Sequence, residues 1–179
     1  MTPTLRTLTA TAAAALLLTL AACSSAPASD TAEPSASASA SGEGSCAGVT
    51  VIVDASAFEE ADDISQSQCI ETDEKIAASD ALDEAGITAE GTTEYGDQAL
   101  CRVDGLPAAD AALTAEDGSE YFESCEKMAP AFAYWALWVQ PSGGEWDYAS
   151  EGLSTLQLEP GDSLALLFTL NGEPSAPTS

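Results

Sequence analysis

The chain has 179 residues, with 30 Asp and Glu against 4 Lys and Arg, no histidine, and a formal net charge of −26. That balance argues against nucleic-acid binding, because phosphate contacts need a basic surface. The absence of histidine excludes a Ser-His-Asp or Cys-His catalytic site.

Arg6 is the only charge in the first 29 residues, and residues 9–22 are Ala, Leu and Thr around Leu16-Leu17-Leu18. A positive start before a short apolar core predicts a signal peptide over residues 1–22. The core falls short of the about 20 residues that a spanning helix needs. It ends in Leu20-Ala21-Ala22-Cys23, which resembles the bacterial lipobox at every position. Small residues at Ala21 and Ala22 let a peptidase approach the backbone, and the Cys23 thiol can form a thioether to diacylglycerol. The alternative is an ordinary cleaved signal with a chance cysteine; Ser24-Ser25 after Cys23 favour the lipobox. Two or three acyl chains make a stable anchor. The expected location is therefore the cell membrane, lipid-anchored on its extracytoplasmic face.

Residues 24–45 are rich in Ser, Ala, Pro and Gly and carry no long apolar side chain. They predict a flexible stalk with a reach of roughly 25 Å. Residues 172–179 read as a flexible tail of the same kind. Between them, residues 46–171 are enough for one domain. Removing residues 1–22 takes away Arg6 and no acid, so the mature charge becomes −27. Such a chain is repelled by anionic headgroups, and the stalk would hold the domain off the surface. The acids fit solubility better than a specific cationic ligand.

The cysteines other than Cys23 are Cys46, Cys69, Cys101 and Cys125. An even number in an exported domain predicts two disulfides. No Cys-x-x-Cys pair occurs, so neither a zinc site nor a thioredoxin-like site is expected. No cofactor is expected.

In chain order, residues 49–53 are Val-Thr-Val-Ile-Val and predict an interior strand. The acidic run 59–63 predicts an exposed turn, and residues 64–70 the returning strand. That hairpin would bring Cys46 beside Cys69. Thr72 can cap a helix, with Asp73 and Glu74 in its first turn; Ala78, Leu82 and Ala85 follow at helical spacing, and Gly86 stops it. Residues 100–103 predict a strand and Asp104-Gly105-Leu106-Pro107 a turn. Residues 108–131 carry no clear pattern and read as a long loop or short helix; a Cys101–Cys125 bond would bracket them. Residues 134–140 predict a strand, Pro141-Ser142-Gly143-Gly144 a turn, and residues 145–149 the returning strand. Residues 156–158 are short and extended. Glu159-Pro160-Gly161-Asp162 is a tight turn before an apolar strand over residues 163–170. Together these predict an α+β fold, a small β-grasp-like roll with one main helix on a mixed sheet and a C-terminal aromatic hairpin.

Asp54 and the 59–63 acids offer oxygen ligands for calcium, but no loop has the spacing of a calcium site. There is no P-loop, dinucleotide-binding glycine pattern or EF-hand. The chain therefore reads as a binding protein and not an enzyme. All three tryptophans lie between positions 135 and 146. Strand alternation puts Tyr134, Ala136 and Trp138 on one face and Trp135, Leu137 and Val139 on the other. The second set would face the core under the helix carrying Leu82. The first would form an exposed aromatic platform, with Trp146 and Tyr148 across the turn, that binds a ligand. The alternative is a Trp138–Trp146 cross-strand pair that only stabilises the hairpin.

Several of these residues, taken in order, resemble the transcobalamin-like C-terminal domain family. They are residues 79–86, Cys101-Arg102-Val103-Asp104-Gly105, Cys125, Tyr134-Trp135-Ala136-Leu137-Trp138, Gly143-Gly144-Glu145-Trp146, Gly152 and Pro160-Gly161-Asp162. The pattern is most similar to actinobacterial secreted lipoproteins of uncertain function. Leu137 stands where those proteins often carry a second tyrosine. The resemblance implies a domain that covers one face of a bound corrinoid, or a module on lipoproteins that assist vitamin uptake. Tyr134, Trp138, Trp146 and Tyr148 are the expected ligand-binding residues, and the expected partners are the membrane, a small molecule and a transporter. The alternative is a protein–protein interaction module of the cell envelope with no small-molecule pocket.

The lipid anchor has a direct test. Cys23→Ser leaves an unlipidated precursor that moves from the membrane to the soluble fraction in a detergent-partition assay. Full membrane retention of the variant would show the anchor assignment to be wrong.

Overall fold

The computed structural model describes residues 46–58, 64–172 and 175–177. The expected signal peptide, Cys23, the expected stalk and the acidic run 59–63 lie outside the described residues.

The β-branched run near residue 50 forms β1 (Val49–Asp54), where Val49, Val51 and Val53 are buried and the intervening residues are only partly covered. It pairs antiparallel with β2 (Gln66–Ile70). The chain then forms β3 (Ile76–Ala77), α1 (Ala78–Glu84), β4 (Ala89–Thr92), β5 (Gly96–Val103), β6 (Leu113–Thr114) and β7 (Glu120–Tyr121). The last third gives β8 (Ala133–Gln140), β9 (Asp147–Tyr148), β10 (Gln157–Leu158) and β11 (Ser163–Leu170). The main sheet has the order β2-β1-β11-β8-β9. β11 lies parallel to β1 and antiparallel to β8, so the sheet is mixed and the fold is α+β with one short helix.

Alternation along three adjacent strands divides the side chains between two faces. Val49, Val51, Val53, Leu164, Leu166, Phe168, Ala133 and Trp135 point into the main core, together with Ala78, Ala81 and Leu82 of α1. Leu137 and Val139 pack against the same core. Trp135 is 6 % exposed, its ring lies 5.3 Å from Phe168 edge-on, and its Nε1–H donates to Leu106 C=O at 2.9 Å. The indole is therefore both buried and satisfied. Ala136, Trp138 and Ala165 form a second cluster on the opposite face.

Four expectations are corrected. Thr72 does not cap the helix. Its hydroxyl closes a local turn with Glu74, accepting from the N–H at 3.2 Å and donating to the C=O at 2.9 Å. Ile76 and Ala77 pair instead with Leu158 and Gln157, which helps bury Leu158 completely, and α1 starts only at Ala78. It ends where Gly86, at φ 71°, takes the left-handed conformation that glycine tolerates. Residues 108–131 are not a structureless loop, because they contain the β6–β7 hairpin. The returning strand after the Pro141 turn is only Asp147–Tyr148. The tail is not free along its whole length, since Ala176 packs on the second cluster.

The two disulfides are Cys46–Cys69 and Cys101–Cys125, with Cα separations of 5.6 and 5.4 Å. Each constrains the unfolded chain by about 2–4 kcal/mol. No helix among the described residues is long and apolar enough to cross a membrane.

Trp135→Ala should destabilise the domain by about 3–5 kcal/mol, from lost burial and the cavity left behind. Trp135→Phe should cost less, because an aromatic ring still fills the site. Urea unfolding with both disulfides intact measures both; a cost below 1 kcal/mol for the alanine variant would place this indole outside the cooperative core.

Candidate functional site

The sheet edge at β8 is incomplete, and the candidate site lies there. Leu137 C=O accepts from Ala149 N–H at 2.9 Å, which defines the outward side of β8. Two residues earlier, Trp135 turns its N–H and C=O to the same side. The β8–β9 pairing runs only over Trp138↔Tyr148 and Val139↔Asp147, so among the described residues no strand pairs with those two groups. Against this edge opens a cleft of about 620 Å³. Its walls are the start of β5 from Asp97 to Leu100, the Met128–Ala131 segment, Tyr134 to Leu137 of β8, and Tyr148 with Ala149 and Glu151. Gly172 forms part of the lip. The volume lies within the range of small-molecule pockets, and the walls combine apolar side chains with a few polar groups.

Local chemistry holds each wall. Asp97 accepts from Ser154 N–H at 2.6 Å, and its hydrogen bonds to Ser154 keep its carboxyl below the ordinary aspartate range. The Met128 wall follows a segment fixed by Arg102. That guanidinium donates to Pro107 C=O at 2.9 Å, Cys125 Sγ at 2.9 Å and Glu123 C=O at 2.6 Å, and pairs with Glu90 at 3.2 Å. Glu123 is 2 % exposed and is satisfied by Cys125 N–H at 2.6 Å and the Tyr121 hydroxyl at 2.9 Å. Burial of a charge is tolerated only with such partners.

The four aromatic residues expected to bind ligand do not form one platform. Tyr134 and Tyr148 line the cleft; Trp138 and Trp146 do not. Trp138 is 8 % exposed, which overturns the expectation of an open platform at that position. It stacks on Tyr148 with ring centroids 4.0 Å apart, and Tyr148 is also its cross-strand partner, so there is no Trp138–Trp146 cross-strand pair. Trp146 packs at the margin of the second cluster. Both indole N–H groups are buried with no hydrogen-bond partner among the described residues. Trp138 therefore supports the cleft from behind, through Tyr148.

Sequence reasoning missed Asp97, Gln98, Met128, Ala129 and Glu151. None belongs to a motif, and Met128 falls in the patternless segment; its 63 % exposure is the only feature that marks it. As for metals, among the described residues Glu90, Cys101 and Cys125 bring ligand atoms within 4.8 Å of one another. The disulfide consumes both thiolates and Arg102 places a cation beside Cys125, so as it stands the group is unsuited to a metal ion. No family model, curated protein or solved structure matches the chain.

Two phenols are displaced from their usual range. Desolvation first, then the hydrogen bond to Glu123, pushes Tyr121 up to about 12. Desolvation first, then the Tyr134 hydroxyl, pushes Tyr148 up to about 12. An unfolded tyrosine titrates near 10. The folded state thus holds these protons more tightly, and the stability they contribute is complete below pH 10 and lost as the pH rises toward 12. Alkaline titration at 295 nm should show two phenolate steps near pH 12 that move to about pH 10 in denaturant. Tyr121→Phe and Tyr148→Phe should each remove one step; Tyr148 is 47 % exposed, so a native Tyr148 that ionises near pH 10 would show that stacking on Trp138 and the Tyr134 hydroxyl do not hold its proton.

Proposed function

We propose that this chain is an extracytoplasmic, lipid-anchored, non-catalytic binding module that takes a small molecule into the β8-edge cleft and serves a transporter. The single observation that carries the reading is the juxtaposition of about 620 Å³ of space with Tyr134, Tyr148 and the free Trp135 edge. Tyrosine faces suit a flat or apolar ligand body. The Trp135 N–H and C=O suit a ligand that carries amide groups at its periphery. Asp97 and Glu151 at the rim disfavour an anion. A corrinoid or another vitamin with amide groups fits these requirements, in agreement with the resemblance noted in the sequence. The fold reading belongs here too. The order β2-β1-β11-β8-β9, with first and last strands parallel and α1 between the two halves, supports a β-grasp-like roll.

A second reading, an envelope protein–protein module, draws on Phe122 at 50 % and Tyr95 at 45 % exposure, two large side chains outside the cleft lining. The small-molecule reading is preferred because a flat docking patch needs no concavity.

Fluorescence titration of the mature protein with corrinoids and other vitamins tests the proposal. Saturable binding is expected, and Met128→Ala or Tyr148→Ala should weaken it by about tenfold, roughly 1.4 kcal/mol. Met128→Ala should leave the melting temperature unchanged, because that side chain is exposed. Binding that is indifferent to both substitutions would remove the site from the cleft, and no binding to any of these compounds would favour the interaction module.

A further inference from the structure

β9 ends before its partner does. It runs antiparallel to β8 with Val139↔Asp147 and Trp138↔Tyr148, and Ala149 N–H still reaches Leu137 C=O at 2.9 Å. Continuing that register would set Glu151 opposite Trp135. The chain turns away instead and packs on the start of β5. Gly152 lies so close there that a Cβ on it would come within 3.0 Å of Asp97 C=O and of Gln98, and Ser154 N–H donates to Asp97 at 2.6 Å. The strand position beside Trp135 is therefore vacated, and the cleft of about 620 Å³ opens against it. Trp135 is 6 % exposed, yet among the described residues no strand, turn or side chain bonds its main-chain N–H or C=O. A buried main-chain donor and acceptor left without partners are costly.

We propose that the cleft takes a ligand with an extended, peptide-like segment and a cationic side chain, which adds to β8 at Trp135 in the strand position that β9 leaves empty. This rests on the reading of the cleft as a small-molecule site and names the class of molecule. Three features select that class. In an antiparallel hydrogen-bonded pair, two residues exchange both of their N–H to C=O bonds, so one extended residue of ligand matches both unpaired groups of Trp135. Addition of a strand to an open sheet edge is a common mode of peptide recognition. The ligand residues on either side of that one place their side chains on the face of Tyr134 and Tyr148, whose rings offer apolar contact. The charged residues that line the cleft are Asp97 and Glu151, and the Gly152 contact brings them to the same wall. A ligand cation meets two carboxylates there.

The test uses the full mature chain with a ¹⁵N-labelled backbone and a capped pentapeptide, Ala-Ala-Lys-Ala-Ala, as the probe. Saturable binding is expected, and the Trp135 amide should exchange about tenfold more slowly with solvent because it gains an acceptor. Successive amides of a strand face opposite edges. Of two peptides N-methylated at alternate amides, one should therefore bind about tenfold more weakly and the other like the unmodified probe. Replacing the lysine with norleucine, or Glu151→Gln in the protein, should weaken binding by about threefold and reduce its salt dependence. Glu151 is exposed, so this variant should melt like the parent. Equal binding of the two N-methylated peptides, or a Trp135 amide whose exchange does not slow, would overturn strand addition. Equal affinity for the norleucine peptide would strike the cation from the ligand class. Saturable binding of a vitamin that Met128→Ala weakens, with no response to any peptide, would overturn this inference and leave the cleft as a small-molecule site. No binding of either kind would remove both.

Discussion

The parallel pairing of β1 with β11 is the constraint on which the rest of the molecule hangs. Thr50↔Ser163 through Asp54↔Leu167 lay the first strand against the last, so the described chain between them must leave this central pair and return to it. β2 and β8 then fill the flanks in antiparallel register, and β8 is left with β9 as its short outer neighbour. Because side chains alternate, fixing this one register fixes both faces at once. α1 spans only Ala78–Glu84 and cannot cover an entire face. The main core is completed by residues such as Ile87, Leu100, Val103, Leu113, Leu153 and Leu158, supplied by loops and two-stranded ribbons. The short β9 leaves β8 open on its outer side, and that opening is the cleft.

Arg102 solves a second problem, the ordering of a segment that has little apolar pattern of its own. Residues 108–131 bury few large side chains, so hydrophobic collapse alone would leave them loose. The guanidinium bonds to backbone carbonyls at Pro107 and Glu123 and to Cys125 Sγ, and the Cys101–Cys125 bond closes the same junction covalently. Thr93 N–H donates to Cys125 C=O at 2.7 Å, which ties this junction to the end of the β4 strand. Buried Glu123 joins Tyr121 to the Cys125 amide. Removing one member of such a network leaves the others buried and unpaired, which costs more than the bond itself is worth. By comparison the exposed Lys75–Glu159 pair at 3.0 Å contributes little. The Met128 wall of the cleft follows this junction in the chain, and backbone bonds from Glu94 N–H to Glu126 C=O and from Ala133 N–H to Pro130 C=O hold it on either side.

How much of this was legible in the sequence depended on whether a residue's role is set locally. The β1, β8 and β11 runs carry their own β-branched or aromatic signal, Gly86 and the Pro160-Gly161-Asp162 turn carry their own backbone requirement, and the hairpin geometry brings Cys46 to Cys69. These were readable. The Thr72 cap was not, because a hydroxyl with acids behind it fits a local turn as well as a helix start, and the distant Leu158 decides between them. The β6–β7 hairpin rests on two paired residues in each strand, too few for periodicity to register. Alternation correctly separated Trp135 from Trp138, but it says only which residues share a face, not whether something covers that face. Trp138 was read as open because the β8 sequence contains no sign of Tyr148 stacking over it or of Ala176 on the same cluster. The cleft residues Asp97, Met128 and Glu151 come from three separate loops and strand ends, and only tertiary folding brings them together.

The distribution of charge relates the two surfaces to one another. With so few basic residues the domain is strongly acidic, yet at physiological salt exposed charges more than about 8 Å apart are largely screened. The acids therefore do little to steer a ligand from a distance and act chiefly at contact. At the cleft, Asp97 is pinned at the rim by Ser154, so an anionic ligand meets a fixed carboxylate rather than one that can swing away. On the opposite face the cluster itself is apolar, and Asp54 borders the small cavity beside the tail. In the proposed cleft, selection would therefore fall to apolar contact and to hydrogen bonds from the Trp135 edge.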